Sequence, residues 1–354
     1  MSRKLKISVI GTGLMGIQHI EAIKKSKKAI LHSIVDINSN AEIVSKKYKS
    51  KLFRRIEDLL KSNKPDGVIV ATPNQLHEKH SNIFLKNKIP VLLEKPISHE
   101  ISSAKKIVNF SRKYKTPLLI GFHRRHNQII SKVKNILSSK KLGKVVSANV
   151  LCWFYKHKEY YKTKWRTKKG GGPLNINLVH DLDIVCYLLG TIKYVQAFKS
   201  NKIRKFNIED TASINLIFNS GALCTLNVSD TIVSPWSYEL TAGENPIYPI
   251  TNQSAYYIGG TEGSIQFPNL KLWTYKKERS WWNKILVKNN RDKKDSKTLV
   301  NQIDHFADVI NKKAKPKVSA VCSDSVIVPF EAFITSNKEK KTEHSGSAKL
   351  TNYF

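Results

Sequence analysis

The chain opens on a short apolar run, Leu5-Lys6-Ile7-Ser8-Val9-Ile10, followed by a glycine turn and a helical stretch to about Lys25. An apolar run of this length, closed by turn residues, has the pattern of a strand buried on both faces of a parallel sheet. The alternation then continues. Apolar or β-branched runs at 30–35, 67–71, 90–93 and 117–121 predict strands, and amphipathic stretches at 40–48, 56–61, 75–86 and 102–114 predict helices. Strands separated by helices in this order predict a doubly wound parallel sheet with helices on both faces.

Beyond Gly121 the pattern changes. His123-Arg124-Arg125-His126-Asn127 leads into a helix ending near Ser139, and 144–155 reads as a long alternating strand. Later stretches at 195–199, 212–218, 222–228, 238–242 and 264–267 read as strands that succeed one another, which predicts a largely antiparallel sheet. One helix stands among them: Pro173 fits a first helical position, Gly190 a stop, and Leu174, Leu178, Leu182, Val185 and Leu189 fall on one face. The expected organisation is a doubly wound α/β domain over 1–123, an α+β domain over 124–340 and a C-terminal tail over 341–354.

Composition adds two constraints. At 354 residues the chain is long enough for two cores, and its 40% hydrophobic and 25% charged residues are those of a globular protein. With no long apolar run and no cleavage-site pattern near the N-terminus, a cytoplasmic protein without a membrane partner is expected. Cys152, Cys186, Cys224 and Cys322 are widely spaced, form no metal-ligand pattern and read as reduced core residues, so no metal is expected.

The charge is unusual: 61 Lys plus Arg against 27 Asp plus Glu gives +34. Such a balance raises affinity for polyanions by counterion release. However, the basic residues are scattered in pairs such as Lys24-Lys25 and Lys312-Lys313, without a long tract or a nucleic-acid motif. A solvated basic surface is expected rather than a specific nucleic-acid partner; steering of an anionic substrate is the other reading.

Candidate chemistry clusters after the predicted strands. The turn Gly11-Thr12-Gly13-Leu14-Met15-Gly16 follows the first, and its glycines have separate tasks: Gly11 for the tight turn, Gly13 for close approach of the backbone to a pyrophosphate, Gly16 for close packing of helix on strand. Alone, such a turn is weak evidence. Twenty residues after Gly16, however, the second run ends in Asp36, whose carboxylate would accept both hydroxyls of an adenosine ribose and repel a 2′-phosphate. Asn38 rather than an arginine lies just beyond, so NAD is expected over NADP.

Thr72-Pro73-Asn74 with His77, and Glu94-Lys95-Pro96, lie after later strands, where ligands of such sheets sit. Lys95 is a candidate for chemistry, although a lysine at a strand end is also an ordinary surface residue in so basic a chain. In the second domain, Asn177, His180 and Asp183 are helical neighbours by spacing, which serves either a surface hydrogen bond or a proton-transfer group.

Taken in order, the motifs resemble those of the glucose-fructose oxidoreductase and inositol dehydrogenase family, Gfo/Idh/MocA. The resemblance rests on Gly11 to Gly16, Asp36, Ala71-Thr72-Pro73-Asn74 with His77, Glu94-Lys95-Pro96, Gly121-Phe122-His123-Arg124-Arg125, Trp165-Arg166, Gly170 to Gly172, His180-Asp181-Leu182-Asp183 and Gly260-Thr261-Glu262-Gly263. It extends to about Lys340. It implies a Rossmann domain followed by a domain with an open-faced sheet, commonly a dimer or tetramer interface, and oxidation or reduction of a sugar, cyclitol or related polyol.

By motif match Lys95 corresponds to the family's active-site lysine and His180 to its active-site histidine. Residues 11–16, Asp36, Thr72, Pro73, Asn74, His77, Glu94 and Lys95 are then expected around the cofactor. Arg124, Trp165, Arg166, Asn177 and Asp183 are expected around the substrate.

One departure stands out. Many members carry an aspartate four residues before the histidine, where this chain has Ile176. The histidine's supporting partner is then expected to be Asp183 or Asn177. A catalytically altered, NAD-binding regulatory or scaffold protein of the same fold is the alternative that this departure raises.

Overall fold

The computed structural model describes residues 3–98, 100–289, 297–318 and 348–349, and divides into two compact units. The first runs from the N-terminus to His126 and takes in the chain again from Lys297; the second begins at Asn127.

In the first unit the order is β1 (Leu5–Ile10), α1 (Leu14–Lys25), β2 (Ala29–Val35), α2 (Ala41–Tyr48), β3 (Lys51–Phe53), α3 (Ile56–Ser62), β4 (Gly67–Val70), α4 (His77–Lys86), β5 (Val91–Leu93), α5 (Ile101–Tyr114) and β6 (Leu118–Ile120). The sheet order is β3-β2-β1-β4-β5-β6 with every pair parallel. Its strands carry apolar residues on both faces because helices cover both: Ile7, Val9, Ile69 and Leu92 are all buried. Strand order reverses between β1 and β4, so the crevice beyond their carboxyl ends opens where the glycine turn lies.

The second unit contains α6 (Gln128–Ser138), β7 (Val145–Trp153), 3-10 turns at Lys158–Lys162 and Lys164–Thr167, and a π-helical turn at Leu174–Leu178 leading into α7 (Val179–Leu189). Then come β8 (Ile192–Ser200), β9 (Thr211–Phe218), β10 (Leu223–Ser229), α8 (Tyr238–Thr241), β11 (Tyr256–Gly260), β12 (Gly263–Phe267), β13 (Lys271–Thr274) and β14 (Leu286–Asn289). These strands form one sheet, closed at its other edge by a short strand at Ala348–Lys349, in which β7 and β10 pair in parallel and the other pairs are antiparallel. On β9, Ala212, Ile214, Leu216 and Phe218 are buried while Ser213, Asn215 and Ile217 face out, the alternation of a sheet covered on one side.

Two local expectations change. The stretch 238–242, read as a strand, is instead the single helical turn α8. Ser237 accepts from the Leu240 N–H at 3.3 Å and Thr241 Oγ1 donates to Ser237 O at 2.7 Å. Tyr238 and Thr241, three apart, share the buried side, a pattern that short alternation does not separate from a strand.

The second change concerns α9 (Thr298–Ile310), which joins the first unit. Ile303, Phe306, Ala307 and Val309 pack into one core with Ile7, Ile20, Ile23 and Ala29. Gly67 makes room for it, since a Cβ there would stand 2.7 Å from Ile310 Cδ1 and 3.0 Å from Phe306 Cζ. The chain therefore enters the first unit twice, which a single boundary at residue 123 does not express. Cys152, Cys186 and Cys224 are buried, while Cys322 and most of the 341–354 tail lie outside the described residues.

Candidate functional site

The glycine turn has the geometry its residue types demand. Gly11 adopts φ +94, and a Cβ on it would stand 2.7 Å from Ala71 O. A Cβ on Gly16 would stand 2.0 Å from Gly11 O, so only glycine lets α1 sit this close to β1. Gly13 has nothing within 4 Å of its would-be Cβ and leaves the N-terminus of α1 open, space of the kind a pyrophosphate needs.

Asp36, just past β2, is tied to this turn. Its Oδ2 accepts from Thr12 N at 2.7 Å and Thr12 Oγ1 at 2.6 Å, and its Oδ1 accepts from Asn38 N at 2.8 Å. Burial pushes its carboxyl pKa up, but these hydrogen bonds and the nearby Arg54 charge together hold it below the usual carboxylate value. It is therefore an anion at neutral pH, beside the open helix end. Arg54 donates to Asp36 O and Asn38 O and pairs with Glu42, so its guanidinium is already engaged.

Lys95 is held from both sides along its backbone. Its N–H donates to Glu94 Oε2 at 3.2 Å, and Glu94 Oε1 accepts from His19 Nε2 at 2.6 Å. That pair is almost wholly buried. Burial raises the Glu94 carboxyl, yet the His19 hydrogen bond, with the more distant His123 and Lys95, brings it below the ordinary value. Gly121 completes the niche, since a Cβ there would stand 2.9 Å from Glu94 Oε1.

On the other side, His77 Nδ1 lies 3.0 Å from Pro96 O and 3.2 Å from Ile97 O, with Nε2 2.9 Å from Thr72 O. Carbonyls only accept and a neutral imidazole carries one N–H, so the ring donates either to the loop after β4 or to the loop after β5 and packs against the other. Burial nevertheless keeps its pKa below the ordinary histidine value, against the pull of those carbonyls. Thr72 Oγ1 also contacts His80 Nδ1 at 3.1 Å. Lys95 itself is half-buried, as are Thr72 and Asn74, while Pro73 is exposed. Arg124 is buried in the 3-10 turn His123–His126 of the same unit.

In the second unit, the π turn sets Val179 N on Leu174 O before α7 begins. Such wide turns often occur at functional sites. His180, Asp181 and Asp183 are all buried on α7. Asp181 accepts from the Tyr256 hydroxyl. Asn177, one of the two partners expected for His180, directs its Nδ2 at 3.1 Å to Glu239 Oε1. Ile176 is half-buried. Trp165 is exposed, whereas the Arg166 guanidinium lies 4.0 Å from the centre of the Tyr160 ring and donates to Tyr160 O at 2.9 Å.

Three residues in these arrangements carry no sequence motif of their own. His19 is a lone histidine within a helix, seventy-five positions from the carboxylate it meets. Glu239 sits on the unexpected turn α8. Glu209 accepts from Leu174 N at 3.2 Å and fills the space left by Gly172, whose Cβ would fall 2.1 Å from Glu209 Oε1. Among the described residues no group of three or more His, Cys, Asp or Glu side chains is placed to hold a metal ion.

Comparison with known proteins fits this geometry. The model of the Gfo/Idh/MocA oxidoreductase family's NAD-binding Rossmann fold matches residues 5–122, and that of the family's C-terminal domain matches 130–266. Glucose-6-phosphate 3-dehydrogenase of Bacillus subtilis is 30% identical over 190 residues, 52% of this chain and 53% of that protein. Myo-inositol 2-dehydrogenase of Thermotoga maritima is 28% identical over 232 residues, 64% of this chain and 68% of that protein. With the first relatives the match spans only about half of their length.

An oxidoreductase from Agrobacterium radiobacter, solved with NAD+, L-tartaric acid and magnesium, superposes with a TM-score of 0.82 at 19% identity over 98% of both chains, a likeness of fold. The chain belongs to the Gfo/Idh/MocA oxidoreductase family, and its first domain is that family's NAD-binding Rossmann domain.

Proposed function

We propose that the chain is a dehydrogenase or reductase that uses NAD to interconvert a secondary alcohol and a ketone on a sugar, cyclitol or sugar acid. The observation that carries this reading is the double anchoring of Lys95. A surface lysine needs no support, whereas here a buried His19–Glu94 pair and the His77 clamp fix the backbone on both sides of it. Such support fits a group whose position matters to the chemistry.

When bound, the cofactor supplies or accepts the hydride. The chain's own tasks are then binding and proton transfer. Gly11, Gly13 and Gly16 shape the turn, with Thr12, Leu14 and Met15 between them; Asp36 receives the ribose hydroxyls, and its negative charge favours NAD over NADP. Thr72, Pro73, Asn74, His77 and Glu94 border the same crevice.

His180 takes the proton of the reacting hydroxyl, because charge developing on carbon must be relieved as hydride leaves. Lys95 donates to the same oxygen and steadies its alkoxide character. Arg124, Trp165, Arg166, Asn177 and Asp183 orient the substrate. We further propose a homodimer or homotetramer, supported by the open sheet face, and a cytoplasmic location. No helix among the described residues is long and apolar enough to cross a membrane.

A chain that binds NAD without turnover has Ile176 in its favour. The test is a screen of polyols, aldoses and uronates for NADH formation by the full chain. Formation with any of them supports the proposal; tight NAD binding with no turnover across the panel favours the alternative.

A further inference from the structure

We propose that Lys156 is the recognition cation for a carboxylate on the substrate, which makes the substrate a sugar acid rather than a neutral polyol. This rests on the oxidoreductase reading above and narrows it to one substrate class.

Lys156 follows β7 and is 5% exposed, yet its Nζ has no hydrogen-bond partner. Its ammonium lies 4.8 Å from the centre of the Tyr160 ring. Burying a charged amine without an acceptor is costly, and burial indeed lowers its pKa, although Asp230, Cys152 and Glu239 oppose that shift and Arg204 adds to it. A structural lysine would have found an acceptor or been replaced by an apolar residue.

The acidic groups nearby are already engaged. Asp230 Oδ1 accepts from Arg204 Nε at 2.6 Å, and Oδ2 accepts from the Tyr161 hydroxyl. Glu239 accepts from Asn177, which stands three residues before His180 in the π turn that leads into α7. Lys156 therefore neighbours a residue that touches the helix entry carrying the candidate base.

Charge selects the ligand. Arg204 is bound to Asp230 and to backbone carbonyls, and Arg166 to Tyr160 O, whereas the Lys156 ammonium has no hydrogen-bond acceptor and suits a single negative charge. Asp230 and Glu239 would repel a phosphate dianion more than a monoanionic carboxylate. Tyr160, which covers the ammonium, belongs to a 3-10 turn without a buried residue, so a ligand reaches Lys156 by displacing a ring and not by opening a core.

The experiment compares the full-length wild type with Lys156→Met, a substitution of similar length that removes only the charge. NADH formation is measured with D-glucuronate, glucose 6-phosphate, D-glucose and myo-inositol, and D-glucuronate binding is measured by calorimetry in the presence of NAD. The inference expects D-glucuronate to be the preferred substrate. It expects the variant's loss in kcat/KM to be about tenfold or more larger for D-glucuronate than for any neutral sugar it turns over. It also expects a melting temperature at or above that of the wild type, since an uncompensated buried charge has gone.

Equal losses for charged and neutral compounds, or a fall in melting temperature with unchanged D-glucuronate binding, would give Lys156 a structural role and overturn the inference. Preference for glucose 6-phosphate would overturn the carboxylate assignment. If nothing is oxidised, the reading as an oxidoreductase fails, and calorimetry still decides on Lys156: binding lost in the variant supports it, and no binding to the wild type contradicts it.

Discussion

His19 Nε2 donates to Glu94 Oε1 at 2.6 Å, joining the first helix of the dinucleotide domain to the residue that precedes Lys95. Because both side chains are buried, the bond is shielded from solvent and orients the strand end. His19→Leu should cost about 3 kcal/mol of stability, since it leaves a carboxylate buried without its donor. It should also lower turnover with little change in the position of the glycine turn. Chemical denaturation and steady-state rates measure the two effects.

The same pair has a pH signature. In the wild type the Glu94 pKa lies below its unfolded value, so its contribution is present above about pH 4.3 and is lost as pH falls through the lowered folded value. In His19→Leu only burial dominates, the folded pKa rises, and the stability deficit should grow as pH increases above about 4.3. Urea midpoints across the acid range would report the reversal of slope.

The glycines make a sharper contrast than a simple loss of function. Gly16→Ala forces a Cβ to 2.0 Å from a backbone oxygen, so helix and strand must separate; a drop in melting temperature and loss of NAD binding are expected together. Gly13→Ala meets nothing within 4 Å. It should melt near the wild type while NAD stabilises it less, because the added methyl enters the space a pyrophosphate would use. Thermal shift with and without NAD separates the two variants.

Asp36→Ala removes the acceptor of Thr12 N and Oγ1 as well as the charge proposed to receive the ribose hydroxyls. NAD affinity should fall about tenfold or more and the preference over NADP should narrow or invert. Titration with the two cofactors checks this, and an unchanged ratio would remove Asp36 from the selectivity.

Four histidines of the first unit, His77, His80, His126 and His305, have pKa values lowered chiefly by burial. For a lowered pKa the stabilisation is present above the unfolded value of about 6.5 and is lost as pH falls toward the folded values. The protein should therefore lose stability below about pH 6.5, and His126→Phe, with His126 packed 5.0 Å from the His305 ring, should flatten that slope. Melting temperatures between neutral and mildly acidic pH measure it.

The parallel domain was readable because its strands are buried on both faces and appear as uninterrupted apolar runs such as Val68, Ile69 and Val70. The strand Lys51–Phe53 escaped because three residues carry no period. Helix α9 is strongly amphipathic, but its sequence does not say that Phe306 docks over Gly67.

At the site, motif spacing pointed to Gly11, Gly16 and Asp36 because these requirements are local. His19 and Glu209 depend on contacts across 75 and 35 residues, which only the fold creates. The candidate partner Asn177 was found by helical spacing, yet its amide turns to Glu239, on an element that spacing misread.

The most direct test of the account is NADH formation by the full chain, on the substrates screened above, in the wild type, Lys95→Ala and His180→Ala, with NAD binding measured in each. The account predicts turnover in the wild type, a loss of about a hundredfold or more in kcat for each variant, and NAD affinity within a few-fold of wild type. Undiminished turnover in both variants would contradict it.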